Sequence, residues 1–242
     1  MRRYRFGGAC FSLPTPACGR ILPRVLRRAA ALAIAAAALL WCADPTSEVW
    51  NFDSLTRIGG HAVTVEGHPR VISTSAGEAV QFSGRDDALF LDVHPLAGAA
   101  TFTWEVIFRP DVGGAAEQRF FHFQENGTDT RLLFEIRVIS GSWCLDSFAL
   151  SGAESKALIA RTKLHTLGTW HHAAAVYDGK EYRNYVDGVL EGAAPLHLAP
   201  QGPGRTSIGT RIDRRDYFKG AILDARMTNR ALPPAEFLKL PK

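Results

Sequence analysis

Between residues 101 and 228, apolar side chains recur at every second position in short runs, and this alternation restricts the fold more than any other feature. In residues 101–110, one side of the run consists of Phe102, Trp104, Val106 and Phe108. Successive side chains of a β-strand point to opposite faces, so the pattern predicts a strand with one face in a core. Similar runs lie at residues 119–125, 131–140, 142–150, 170–177, 181–187 and 217–228. The chain is therefore predicted to be all-β.

Turn-forming residues separate these runs. Glycine lies beside Asn, Asp, Ser or Pro at residues 126–127, 140–141, 178–179, 187–188 and 202–204. Such steps favour tight connections between antiparallel strands. Short strands joined in this way predict a two-sheet antiparallel sandwich. One helical pattern, at residues 233–240, follows the strands, and with no linker or repeat inside residues 48–240 we expect a single domain there.

The N-terminal segment has the composition of an export signal. Residues 29–43 form an unbroken apolar run directly after Arg27 and Arg28. The run is shorter than the roughly 20 residues that span a bilayer, and a basic region before an apolar stretch is typical of a secretory signal. Residues 1–43 are predicted to be a targeting segment with a signal helix. The mature protein is expected to be exported, with a periplasmic, cell-surface or extracellular location.

Charge and cysteine use limit the partners of the mature chain. From Asp44 onward the chain has 21 basic and 24 acidic residues, because seven arginines precede that position. A nucleic-acid partner would need a basic face on the folded domain, so none is expected. Contact with a membrane is expected only through the signal segment or through a lipid on Cys42. Only Cys42 and Cys144 would remain after cleavage, which provides neither a disulfide framework nor a paired zinc motif.

Several motifs occur together in a characteristic order. They are residues 77–91, residues 101–110, Gly168 to Gly179 (GTWHHAAAVYDG), Tyr185-Val186-Asp187-Gly188 and residues 220–232 (GAILDARMTNRAL). Together they resemble the laminin-G-like, concanavalin A-like jelly-roll domain of secreted bacterial proteins. The resemblance implies a jelly-roll sandwich over roughly residues 48–238.

The resemblance implies a fold more than a function, because members of this family bind glycans, bind proteins or accompany catalytic domains. Our leading hypothesis is an exported, non-catalytic module that binds carbohydrate, with a cell-surface protein as an alternative partner. A small polysaccharide-active enzyme is the competing class. Glycoside hydrolysis would need two carboxylates about 5 to 9.5 Å apart. The related glucanases carry a Glu-x-Asp-x-Glu run that is missing here, and Glu105 and Glu135 are the nearest substitutes.

The polar side of the middle strands is the candidate ligand-binding face. If the strands from residue 101 to residue 150 pair as neighbours, one face would carry Glu105, His122, Gln124, Glu135, Arg137 and Asp146. Such a face is either solvated surface with cross-strand ion pairs or the floor of a ligand groove. Sugar rings stack on exposed aromatic rings, and the candidates near strand ends or loops are Trp143, Tyr182, Tyr185 and Tyr217.

Two further groups of residues are candidate metal ligands. His171 and His172 are adjacent on a strand and point to opposite faces, so both cannot bind one ion, and structural hydrogen bonds are expected for them. The resemblance also implies a structural calcium ion where the first and last strands meet, held by Asp53, Asp224 and the Gly84 carbonyl. Calcium takes six to eight oxygen ligands, so waters would complete this set. As alternatives, Asp53 would cap a turn and Asp224 would pair with a base.

Overall fold

A computed structural model describes residues 47–241 of the 242-residue chain. The predicted signal segment therefore lies outside the described residues. In chain order the strands are β1 (Ser47–Asn51), β2 (Arg57–Ile58), β3 (His61–Ala62), β4 (Thr64–Glu66), β5 (Arg70–Thr74), β6 (Gly77–Ser83), β7 (Ala88–Leu91), β8 (Phe102–Pro110), β9 (Glu117–Glu125), β10 (Arg131–Ile139), β11 (Ser142–Ser151), β12 (Glu154–Ile159), β13 (His165–Thr166), β14 (His171–Tyr177), β15 (Glu181–Val186), β16 (Val189–Pro195), β17 (Gly204–Ile208) and β18 (Lys219–Thr228). Within the described range, no helix is long and apolar enough to cross a membrane.

Two antiparallel sheets form the sandwich. Sheet I has the order β16-β15-β14-β8-β18-β6-β5, and β1 pairs with the part of β18 beyond β6. Sheet II has the order β12-β11-β10-β9-β17-β7-β4, with β13 beside β11. The predicted all-β, two-sheet antiparallel class is confirmed.

The core between the sheets is rich in aromatic rings. Trp104 of sheet I stacks on Phe134 of sheet II, with ring centroids 3.9 Å apart. A β-bulge between β9 and β10 adds Phe120 as an extra residue, so that Phe120 and Phe121 both enter the core. The extra residue shifts the alternation by one position, so Arg119 and His122 both face outward although they are three residues apart.

Two expectations from the sequence need correction. Strand β8 does not neighbour β9, because the loop after Pro110 crosses from sheet I to sheet II and β8 pairs with β14 and β18. The helical pattern at residues 233–240 gives only a 3₁₀ turn, Pro234–Glu236. That segment is instead extended over the outer face of sheet I. Its Phe237 packs on Tyr185, with ring centroids 5.2 Å apart.

Candidate ligand-binding surfaces

Glu105 holds the C-terminal segment to sheet I. Its side chain is fully buried and accepts hydrogen bonds from Arg226 Nε at 2.6 Å and from the backbone N–H of Leu238 at 2.7 Å. His172 Nε2 lies 3.0 Å from the same carboxylate. Burial alone would raise the pKa of Glu105, but the hydrogen bonds from these three groups together lower it. The carboxylate is therefore a structural anion with no access for a substrate.

Glu105 is consequently separated from the other residues of the predicted face. Glu135 projects from the outer face of sheet II, whereas Glu105 projects from the outer face of sheet I. The core of the sandwich lies between them, so the two carboxylates cannot flank one glycosidic bond. The proposed catalytic pair is wrong for this reason.

The structure does bring the remaining members of the predicted face together on sheet II. His122, Gln124, Glu135, Arg137 and Asp146 all lie on β9, β10 and β11, on the side away from the core. Arg137 Nη2 lies 2.9 Å from Glu135 Oε2 and 2.6 Å from Asp146 Oδ2. Arg119 Nη2 lies 3.1 Å from Glu135, and Glu117 and Asp216 complete the ion-pair network.

Burial raises the pKa of the two carboxyl groups at the centre of this network. Burial and the neighbouring Asp146 raise the pKa of Glu135, although Arg119 and Arg137 oppose the shift. Burial likewise raises the pKa of Asp146 against the effect of Arg137. Because both carboxylates share one guanidinium group, they are committed to ion pairs rather than free to act on a substrate.

His122 lies beneath a loop rather than on an open groove floor. The side chain is fully buried, and its Nδ1 accepts a hydrogen bond from the backbone N–H of Ile212 at 3.0 Å. Burial, reinforced by the nearby positive charges of Arg131 and Arg119, lowers the pKa of His122 to about 3. A ligand could reach this ring only if the loop that carries Ile212 moved.

Three of the four predicted stacking aromatics are core residues. Trp143 and Tyr182 are fully buried between the sheets, and Tyr185 is covered by Phe237. They cannot stack on a sugar ring in this conformation. Tyr217 is partly exposed and pairs with Arg119 in an isolated β-bridge.

The three residues proposed for calcium do not fit one ion. Asp224 lies beside Asn51, whose side-chain amide donates to it at 2.7 Å. Gly84 follows Ser83, which pairs with Lys219. Lys219 and Asp224 are five residues apart on β18, which corresponds to roughly 16 Å along a strand. Calcium ligands lie about 2.3 to 2.6 Å from the metal, so Gly84 and Asp224 cannot share one.

A large groove at one end of the sandwich was not anticipated from the sequence. It has a volume of about 1070 Å³ and is bordered by the β4–β5, β6–β7 and β8–β9 loops and the start of β18. Arg70, Arg85, Asp86 and Lys219 line it, and within residues 47–241 none of these side chains has a hydrogen-bonding or ion-pair partner.

A buried aspartate fixes the shape of the groove wall. Asp87 accepts hydrogen bonds from the backbone N–H groups of His68 at 2.6 Å and Ser83 at 2.7 Å, which ties the β4–β5 and β6–β7 loops together. The sequence signal for the groove was two charged turns that begin with glycine, at residues 67–70 and 84–87. Only the folded chain shows that these turns face one another.

The fold is similar to that of several solved domains. Domain 4 of AbnA, a GH43 extracellular arabinanase from Geobacillus stearothermophilus, in complex with arabinotriose, aligns with a TM-score of 0.61 at 17% identity, covering 82% of this chain and 99% of that domain. The binding domain of Paraclostridial Mosquitocidal Protein 1 aligns at 0.60 with 11% identity, covering 78% and 50%. The botulinum neurotoxin serotype D binding domain aligns at 0.58 with 11% identity, covering 78% and 49%. The chain thus spans about half of the two toxin domains, and these identities show a shared fold.

No curated protein matches this chain. A family model does match it, over residues 82–237, which is more than half of its length and includes strands of both sheets. The chain therefore belongs to the Laminin_G_3 family of the concanavalin A-like lectin/glucanases superfamily.

Proposed function

We propose that this protein is an exported, non-catalytic module that binds carbohydrate in the groove at the end of the sandwich. The observation that carries the proposal is the groove itself, with a volume of about 1070 Å³ and several charged side chains that have no partner within residues 47–241. Ligand sites are commonly clefts of about 300 to 1,000 Å³ with a few convergent polar groups. The groove is large enough for several sugar residues.

The chemistry of the lining suits hydroxyl-rich ligands. The guanidinium groups of Arg70 and Arg85 are planar, and each has several N–H donors. The Asp86 carboxylate is an acceptor that has no partner within residues 47–241. Vicinal sugar hydroxyls can donate and accept at the same time, so they complement such a set. Leu55 and the 40% exposed Val65 supply apolar surface for the C–H face of a sugar ring.

Two observations argue against catalysis. Glu105 is fully buried beneath the C-terminal segment, and Glu135 shares Arg137 with Asp146. Each carboxylate therefore stabilises the fold. The similarity to an arabinanase domain in complex with arabinotriose is consistent with a binding role for this fold, while the groove lining supports the choice of carbohydrate as the ligand.

A polysaccharide panel tests the proposal. The protein is assayed against neutral and acidic polysaccharides for retardation in affinity gels and for release of reducing ends, and hits are measured by calorimetry. We expect binding without release. Arg85→Gln should weaken binding about tenfold or more, because one multiple hydrogen-bond donor is lost.

Arg161→Gln is the matched control, since Arg161 is exposed and lies outside the groove. Equal ligand affinities of Arg85→Gln and Arg161→Gln would show that the ligand binds outside the groove. Loss of affinity in Gln124→Ala alone would place it on the outer face of sheet II. Release of reducing ends that Glu135→Gln abolishes would contradict the non-catalytic assignment, and capture of a protein with no retained glycan would favour the protein-binding alternative.

Export is part of the same proposal and has its own test. The apolar run at residues 29–43 after Arg27 and Arg28 supports it. Mass spectrometry of protein from the native host should find an N-terminus between Cys42 and Thr46. A diacylglycerol-sized increment on Cys42 would identify a lipoprotein, and an intact Met1 in the soluble cytoplasmic fraction would contradict export.

A further inference from the structure

Two histidines and two carboxylates meet at one edge of the sandwich, away from the groove. His165 comes from β13 of sheet II, whereas His171, Asp187 and Glu191 come from β14, the β15–β16 turn and β16 of sheet I. Ligand atoms of His165, His171 and Asp187 all lie within 4.8 Å of one another. The carbohydrate proposal does not use this cluster.

The hydrogen bonds of His171 leave one ring nitrogen facing a carboxylate. Its Nε2 lies 3.0 Å from the carbonyl oxygen of Thr166 and 2.9 Å from the Thr169 hydroxyl. Its Nδ1 lies 2.8 Å from Asp187 Oδ2. In the tautomer whose Nε2–H donates to the Thr166 carbonyl, Nδ1 presents a lone pair beside the Asp187 carboxylate, and both groups can then bind one metal ion. A ring N–H on a backbone carbonyl is also how metal-binding histidines are commonly oriented.

His165 and Glu191 repeat the arrangement. His165 Nε2 lies 2.9 Å from Glu191 Oε1, and the Glu191 side chain is only 3% exposed. Glu191 Oε2 is buried and has no hydrogen-bond partner in the described part of the chain. A buried carboxylate oxygen without a partner is costly. With neutral imidazoles the cluster has two negative charges, which a divalent cation would neutralise.

The surrounding residues hold the cluster in place. The Trp143 ring lies against both imidazoles, with centroids 4.8 Å from His165 and 5.1 Å from His171. Asp187 Oδ1 accepts from the backbone N–H of His172 at 2.8 Å, which leaves Oδ2 directed at His171. The Asp187 side chain is 36% exposed, so an ion can enter from solvent.

We propose that His165, His171, Asp187 and Glu191 bind a divalent transition-metal ion of the zinc class. Imidazole nitrogen and carboxylate oxygen are zinc ligands, whereas calcium and magnesium prefer oxygen alone. A tetrahedral zinc ion with bonds of about 2.0 to 2.2 Å separates its ligand atoms by about 3.4 Å. The ligand atoms of His165, His171 and Asp187 lie within 4.8 Å of one another, so small side-chain rotations can bring these three to that spacing. Glu191 Oε1 lies 2.9 Å from His165 Nε2, which places its carboxylate beside the same site.

Calorimetry on tag-free, chelator-treated and dialysed protein tests the site. Zinc chloride should bind with one ion per chain and raise the melting temperature, while calcium and magnesium chloride should not. His165→Gln and Glu191→Gln should each weaken zinc binding by at least tenfold, whereas His197→Gln, which changes an exposed histidine elsewhere, should not. Binding should also weaken at acidic pH, because protons compete for the imidazoles.

Cobalt substitution tests wild-type protein independently of any variant. Cobalt(II) in a tetrahedral N,O site should give visible absorption bands that zinc removes. Absence of stoichiometric zinc binding, or equal zinc affinities of wild type and His165→Gln, would overturn the assignment. Loss of binding in His197→Gln alone would also overturn it. Because no polysaccharide takes part, failure of the carbohydrate proposal would leave this result unaffected.

Discussion

The backbone N–H of Ile212 donates a hydrogen bond to Nδ1 of His122 across 3.0 Å, and this contact decides the protonation state of the ring. Nδ1 must be unprotonated to accept, so the hydrogen of the neutral ring is on Nε2. A second proton would place two donors against each other in a buried site. Burial and this geometry agree with a pKa of about 3 for His122.

Protonation of His122 should make stability pH-dependent. The unfolded chain takes up this proton near the ordinary histidine pKa of 6.5, and the folded chain only near 3. Between these values the unfolded state binds more protons, so stability is full above pH 6.5 and falls as pH decreases. The contribution approaches about 1.4 kcal/mol per pH unit. Urea unfolding from pH 7 to pH 4 measures the slope.

His122→Asn is the matched variant for that measurement. The Asn oxygen can accept from Ile212 but does not titrate in this range, so the slope should decrease by close to one proton. His68→Asn changes an exposed histidine that shows no such burial and serves as the control. Identical slopes for wild type and His122→Asn would contradict the prediction.

Glu105→Gln should destabilise the protein by about 3 kcal/mol or more. The substitution leaves Arg226 beside a neutral amide in a buried site, and breaking such a pair is strongly unfavourable. Urea unfolding at pH 7 measures the loss, and trypsin should cleave after Lys239 faster than in wild type. Glu154→Gln, at an exposed position of β12, is the control. A difference between the two variants below about 0.5 kcal/mol would show that Glu105 does not hold the C-terminal segment.

Gly209→Ala should destabilise the protein more than Gly141→Ala. Both residues have similar positive φ values, 82° and 79°, so the backbone strain is alike. At Gly209 a Cβ would collide with the Phe82 ring and lie 3.0 Å from the Asp87 carbonyl oxygen, whereas nothing lies within 4 Å at Gly141. Overpacking should add about 1 to 3 kcal/mol. Equal midpoints in thermal unfolding would contradict this.

Trp143→Ala and Tyr217→Ala distinguish a core aromatic from a surface one. Trp143 is fully buried and its Nε1 donates to the Thr166 carbonyl oxygen, so truncation should cost about 3 to 5 kcal/mol. Tyr217 is partly exposed, and its truncation should cost less than about 1 kcal/mol. Urea unfolding measures both losses of unfolding free energy. Similar losses for Trp143→Ala and Tyr217→Ala would indicate that Trp143 is exposed and can stack on a ligand.

The strands were predictable because their signals are local. Alternating side chains over residues 101–110 need only a neighbouring strand and a core, and the observed β8 spans Phe102–Pro110. Asp187-Gly188 likewise predicted a hairpin from two residues, and Asp187 has the expected positive φ of 49°. The family and the sandwich class followed from such segments in order, and both are confirmed.

The candidate binding surfaces could not be predicted in the same way, because they depend on contacts between residues far apart in the chain. Alternation shows that one face of β8 is buried, but it cannot show that Leu238 and Arg226 cover Glu105 on the other face. It also cannot show which sheet a strand joins, and this choice separated Glu105 from Glu135. The end groove and the His165–Glu191 contact likewise depend on how distant loops and strand edges pack. The sequence by itself determined the strands, turns and charge distribution, whereas only tertiary packing decided which polar side chains remain available to a ligand.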